Sequence, residues 1–377
     1  MSDSYGFLST YPPTQCGLAT FTAALLANIT LPGSTDTAGV VQVVEGRQSG
    51  TGPEVVHRLR DGFAGSLTAA AAALNRFDVV IVQHEYGIFT GADGDDVLAL
   101  LDRVRVPVIV VFHTVLEAPT PHQRQVLERV MDRADAVVVM TETARRRLLA
   151  GYRTGPAEIV VIPHGAPASA MSVPAAASTA PMLLTWGLLG PGKGIEWAVE
   201  ALSHLRDLVP PPRYVVAGQT HPKVLERCGE SYREELAARA HAHGVADLVE
   251  FVPGYLETRE LRRLIRRADV VVLPYDSPEQ VTSGVLIEAV AALKPVVSTR
   301  FPHAVELLGA GAGLLVPHGD AVALAAAVRR VLTEPGLAGR MATESARIAP
   351  SLGWPAVADR YRDLATSLLV SHAAVTL

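Results

Sequence analysis

Short runs rich in Val and Ile alternate along this chain with stretches whose apolar positions recur at helical spacing. Runs at 7–10, 39–44, 78–83, 106–113, 135–140 and 158–162 read as strands, and their apolar content implies burial on both faces, as in a parallel sheet covered by helices. Helices are predicted between them at 18–29, 65–74, 94–104, 121–134 and 142–150. The alternation restarts after residue 181, with strands at 182–186, 213–218, 248–252, 269–274, 295–298 and 313–316. Helices begin near Gly194, Pro222, Thr258, Ser283, Ala304 and Asp320. Strand and helix alternating twice over implies an α/β chain of two Rossmann-like, doubly wound units.

The stretch 167–181 carries no charge and no amphipathic period, which marks an interdomain linker. The expected division is a first unit at 1–170, a linker at 171–181 and a second unit at 182–353. The amphipathic segment 354–377 is expected to cross back and complete the first unit. Two such units facing each other would place the C-terminal edges of both sheets around one cleft, so ligand chemistry is expected there.

Composition narrows the function classes. Hydrophobic residues make up 49% of the 377 and charged residues 19%, which excludes wholesale disorder. The net charge is -5 and no segment gathers basic residues as a nucleic-acid surface would, so no nucleic-acid partner is expected. Cys16 and Cys228 are far apart and form no paired spacing, which suggests neither a zinc site nor a disulfide framework and fits a cytoplasmic setting. Apolar runs are far below the roughly 18 residues of a membrane span, and the N-terminus lacks a basic leader pattern, so neither export nor insertion is expected.

The segment 278–288 follows a strand and opens a helix. Thr282 or Ser283 can cap that helix, while Ser283, Gly284 and Val285 would turn backbone N–H groups outward toward a phosphate. Glu288, about one turn on, could accept hydrogen bonds from sugar hydroxyls of a nucleotide. The same residues also read as an ordinary capped helix with a solvated Glu.

The loop 186–194 joins a strand to a helix through four glycines, among them Gly192, and carries Lys193, one of only three lysines. Its GxxxxGK spacing ends in Gly194 rather than Ser or Thr, which weakens an NTPase reading. Lys193 could still pair with a diphosphate as a point charge. In the first unit Gly17 opens a helix without a GxGxxG pattern, which argues against a nicotinamide dehydrogenase. His113 and the pair His84-Glu85 end strand runs at the edge expected to face a ligand. Asp93, Asp95 and Asp96 read as acids favouring a helix start, and no metal is predicted.

Taken together, the segments 9–13, 16–21, 83–87, 113–116, 163–165, 192–194, 218–222 and 278–284 resemble the retaining, nucleotide-sugar-dependent glycosyltransferases of family 4, which have the GT-B fold. The resemblance covers nearly the whole chain. It implies transfer of a hexosyl group, of mannosyl or glucosyl type, from a UDP- or GDP-hexose to a hydroxyl acceptor, with no other cofactor. Gly17 would approach the donor diphosphate or the acceptor, and His113 would sit beside the transferred sugar. Lys193 would neutralise the leaving diphosphate beside Gly192, the amides of Ser283, Gly284 and Val285 would hold phosphate and sugar, and Glu288 would bind the ribose. His84 and Glu85 would lie on the acceptor side, which the loops at 61–64 and 89–96 would shape.

Two positions depart from the family pattern. The arginine expected five positions before the loop lysine is Leu188, so one cation for the leaving group is missing or supplied elsewhere. The acid expected eight positions before the ribose-binding Glu is Gln280, which can bind a sugar hydroxyl but cannot form a covalent intermediate as a carboxylate would. A GT-B epimerase or sugar phosphorylase, and a non-catalytic sugar-binding protein, are the alternatives. A time course with donor alone separates the epimerase, because it needs no acceptor.

Overall fold

The computed structural model describes residues 3–31, 33–44, 52–60, 65–167 and 180–376. They form two compact units: Met1–Gly165 with Trp354–Leu377, and Ala166–Gly353. The division falls at Gly165/Ala166, ahead of the boundary at 170 expected from sequence. Most of the expected linker, at 168–179, lies outside the described residues, as does the loop 61–64.

In the first unit the described strands are β1 (Ser4–Ser9), β2 (Thr37–Val44), β3 (Val55–Arg60), β4 (Val79–His84), β5 (Val108–Phe112), β6 (Ala136–Val139) and β7 (Glu158–Val161). They pair in parallel in the order β3-β2-β1-β4-β5-β6-β7. In the second unit, β8 (Met182–Trp186), β9 (Arg213–Ala217), β10 (Val249–Val252), β11 (Val270–Leu273), β12 (Val296–Thr299) and β13 (Gly313–Val316) pair in parallel in the order β10-β9-β8-β11-β12-β13. Strand order reverses beside β1 and beside β8. In sheets of this kind the crevice for a ligand opens at such a reversal, beyond the C-terminal ends of the two strands.

The inner strands are buried throughout because helices cover both faces. Val55–Arg60 is a strand that the pattern of Val and Ile does not predict. It is an edge strand paired only with β2, half-exposed, and therefore free to carry His57, Arg58 and Arg60. The helices Ser231–Ala242 and Leu337–Leu352 were likewise not anticipated.

The helix Trp354–Thr376 completes the core of the first unit. Trp354, Val357, Ala358 and Tyr361 are buried with Phe21 and Leu25 of the helix Gly17–Ile29. Gly165 allows the close approach, since a Cβ there would lie 2.2 Å from the Trp354 indole. Arg362 donates to the carbonyls of Asn28 and Ile29 at 3.0 and 3.2 Å, satisfying the C-terminal end of that first helix.

Candidate active site

In the second unit, the loop after β8 is held against the end of β11 by glycines. Gly194 has φ +63°, and a Cβ there would lie 1.8 Å from the carbonyl oxygen of Pro274. Asp276 donates its N–H to Gly192 O at 3.0 Å, which ties the same two segments. This approach sets Lys193 Nζ 4.5 Å from the centroid of the Tyr275 ring. Tyr275 is buried and stacks on Phe301, with centroids 5.2 Å apart, so the ammonium rests on a fixed aromatic floor. Among the described residues Lys193 has no ion pair, which leaves its charge for a ligand.

Beyond β11 the helix Gly284–Ala291 is capped by Ser283, whose Oγ accepts from Leu286 N at 3.2 Å. One detail corrects the expectation from sequence. The N–H of Ser283 does not point outward but donates to Nδ1 of the buried His303 at 2.8 Å. Gly284 and Val285 stand in the first turn, where helix geometry supplies no acceptor for their N–H groups. Gln280 folds back, donating Nε2 to Thr282 O at 2.9 Å, so its Oε1 remains as an acceptor.

Glu288 on the same helix accepts from Trp186 Nε1 at 3.0 Å, which fixes its Oε2 beneath the loop that carries Lys193. Burial raises the carboxyl pKa of Glu288, a rise opposed by the indole hydrogen bond and by Arg262. Lys193, the amides of Gly284 and Val285, Gln280 and Glu288 thus all belong to the loops and helix starts that follow β8 and β11, at the reversal of strand order.

In the first unit the helix Gly17–Ile29 begins beside the end of β1. Cys16 caps it through Sγ, which accepts from Ala19 N at 3.4 Å. A Cβ on Gly17 would meet nothing within 4 Å, so packing does not require glycine there and the space before it is open.

His113 follows β5 and donates its N–H to His84 O at 3.1 Å. Its Nε2 lies 2.7 Å from Gln83 Oε1; with that oxygen as acceptor Nε2 carries the hydrogen and Nδ1 is left as an acceptor. Phe21 contacts the rings of His113, His164 and Trp354 edge-on, each at 5.0 Å between centroids. Burial, then His164 and His84, lower the His113 pKa to about 3; burial lowers that of His164 to about 4. Both rings are neutral at pH 7.

His84 has no exposed surface and is enclosed by Tyr86, Phe89 and Phe112; burial lowers its pKa to about 4. Neither of its ring nitrogens has a hydrogen-bond partner among the described residues. Glu85 accepts from Thr114 Oγ1 and from Tyr86 N. Asp93 and Asp95 flank His122 at 2.8 and 3.6 Å, and Asp96 accepts from Thr90 Oγ1.

Sequence reasoning did not single out Trp186, Tyr275 or His303. An aromatic residue at the end of a strand, directly before a glycine loop, is the local signal by which Trp186 could have been found.

Residues 170–347 match the family described as Glycosyl transferases group 1, and residues 30–169 match Glycosyltransferase Family 4. A D-inositol 3-phosphate glycosyltransferase of Kineococcus radiotolerans is 31% identical over 334 residues, spanning 78% of this chain and 73% of that protein. The chain belongs to glycosyltransferase family 4. This glycosyltransferase is also 32% identical to the glycogen synthase of Mycobacterium tuberculosis over 231 residues, 60% of this chain, and the match spans about half (52%) of that enzyme.

Its fold is GT-B. Anabaena HepE, solved in complex with UDP and glucose, superposes with a TM-score of 0.73 at 16% identity, covering 97% of this chain and 100% of that one. Sucrose-phosphate synthase of Thermosynechococcus elongatus superposes with a TM-score of 0.76 at 19% identity, covering 98% and 100%.

Proposed function

We propose that this glycosyltransferase moves a hexosyl group, mannosyl or glucosyl, from a UDP- or GDP-sugar to a hydroxyl acceptor with retention of anomeric configuration. The observation that carries the reading is the convergence of Lys193, the Gly284 and Val285 amides and the Trp186-held Glu288 on one reversal point of the sheet. Cation, helix-start amides and carboxylate are the groups that a diphosphate joined to a ribose requires. The names of relatives that transfer sugars, and the UDP bound by HepE, support the donor class.

The mechanism follows from where charge develops. Cleavage of the sugar–phosphate bond builds positive charge on the ring and negative charge on the diphosphate. Lys193 and the amides of Gly284 and Val285 stabilise the latter, so the reaction as proposed needs no metal. Gln280 cannot form a covalent intermediate as a carboxylate would; with retention proposed, the acceptor oxygen attacks from the face the diphosphate leaves, and the departing phosphate oxygen takes the acceptor's proton. Gln280 Oε1 and the neutral His113, with its Nδ1 acceptor, hold sugar hydroxyls. Gly17 leaves room at its helix start for the diphosphate or the acceptor, and Glu85, with His84 behind it, stands on the acceptor side.

The test is a panel of UDP-glucose, UDP-N-acetylglucosamine and GDP-mannose, each with and without candidate acceptors, followed by NMR of the product anomer. Acceptor-dependent release of nucleoside diphosphate with a retained anomer is expected. Turnover of donor alone to an epimer, or an inverted product, overturns the reading.

A further inference from the structure

The loop after β8 runs beside the segment after β9. Leu189 donates its N–H to Gln219 O at 2.8 Å, and His221 donates its own to Leu189 O at 2.8 Å. Val224, on the short helix Pro222–Cys228, comes up against Gly190, where a Cβ would lie 3.2 Å from its methyl group.

Between loop and helix lies a cavity of about 250 Å³. Lys193 lines it from the loop, Lys223 and Arg227 line it from the helix, and Leu188 and His221 complete the wall. Two of the chain's three lysines therefore share one cavity, and none of the described residues that line it is acidic. Lys223 and Arg227 are four positions apart on the helix and so share a face. His221 registers the charge: burial first, then Lys223 and Lys193, hold its imidazole below the ordinary range. Lys193, Lys223 and Arg227 thus put three cationic side chains on the walls of one cavity, and each attracts an anion placed there.

We infer that Lys223 and Arg227 bind the diphosphate of the donor together with Lys193. The assignment rests on the nucleotide-sugar reading above and deepens it: the cation that Leu188 does not supply comes from the neighbouring helix. Arg227 offers a planar fork suited to two phosphate oxygens, whereas Lys223 acts as a point charge. Because the diphosphate gains negative charge as the sugar leaves, the two side chains stabilise the departing group more than the intact donor.

Titration calorimetry of the full chain with UDP, GDP, uridine, guanosine and inorganic pyrophosphate tests this. The variants are Lys223→Ala, Arg227→Ala, the double variant and Lys223→Arg. Both side chains are exposed, so the variants should melt with the wild type. Each alanine variant is expected to weaken the nucleoside diphosphate that binds by about tenfold. Pyrophosphate binding should weaken further in the double variant than in either single one, the bare nucleoside should bind all proteins alike, and Lys223→Arg should hold affinity within about threefold.

Wild-type binding of UDP or GDP that both alanine variants retain within about twofold overturns the assignment. So does a rise confined to the KM of a phosphorylated acceptor, which would place the acceptor's phosphate in the cavity. If the wild type binds neither nucleoside diphosphate, the donor reading itself fails and the assignment falls with it.

Discussion

Trp186 and Glu288 lie 102 residues apart in the chain and meet through a 3.0 Å hydrogen bond from the indole N–H to Oε2. The last residue of β8 thereby sets the direction of a carboxylate on a helix that follows β11. A ribose hydroxyl reaching Glu288 would meet an acceptor already oriented.

Trp186→Phe keeps the aromatic packing and removes the donor. The KM for the nucleotide sugar is expected to rise about tenfold with kcat nearly constant, since the bond acts on ground state and transition state alike. Initial rates at saturating acceptor measure it; a fall in kcat at constant KM would contradict the positioning role.

Lys193→Ala should lower kcat by about 10²- to 10³-fold, the range for loss of one preorganised charge-stabilising group. Its contact with the Tyr275 ring is worth only about 0.5–1 kcal/mol in a partly exposed setting, so the melting temperature should move by a few degrees at most. Parallel loss of activity and stability would show that the lysine serves the fold.

Two glycines should separate packing from function. Gly194→Ala drives a Cβ against Pro274 O in a left-handed backbone and is expected to destabilise the second unit by about 2–4 kcal/mol. Gly17→Ala adds a methyl into open space, so stability should hold or rise by a few tenths of a kcal/mol while activity falls. Urea unfolding read beside turnover distinguishes them, and a fully active Gly17→Ala enzyme would remove that residue from the site.

The stability of the first unit should depend on pH through His84. Burial lowers its pKa on folding to about 4 from the ordinary 6.5 of a histidine, so the unfolded chain binds more protons between those values. The stabilisation is complete above about pH 6.5 and is lost as pH falls toward 4, at about 1.4 kcal/mol per pH unit. Denaturant unfolding between pH 7.5 and 4.5 should show a shallower slope in His84→Leu, by about one proton. Equal slopes would mean that His84 does not titrate on unfolding.

Much of this protein was legible in one dimension. Runs of Val and Ile too apolar for an exposed face marked strands such as Val108–Phe112 and Val270–Leu273, and their regular alternation with helical periods implied two parallel sheets. Glycines around Lys193 and the Ser-Gly start at Ser283 marked the loops proposed here to hold the diphosphate, because small residues and caps act within a few positions of themselves. The edge strand Val55–Arg60 carries no such mark, because half-exposed strands need no apolar run.

Tertiary structure alone decided which distant groups meet. His303 takes the Ser283 N–H, Tyr275 lies under Lys193, Trp186 grips Glu288, and Lys223 and Arg227 share a cavity with the loop lysine. The physical reason is one of range. Propensity, capping and hydrophobic period are written in neighbouring residues, whereas a hydrogen bond or a shared field across adjacent strands depends on sheet order, which puts β8 between β9 and β11.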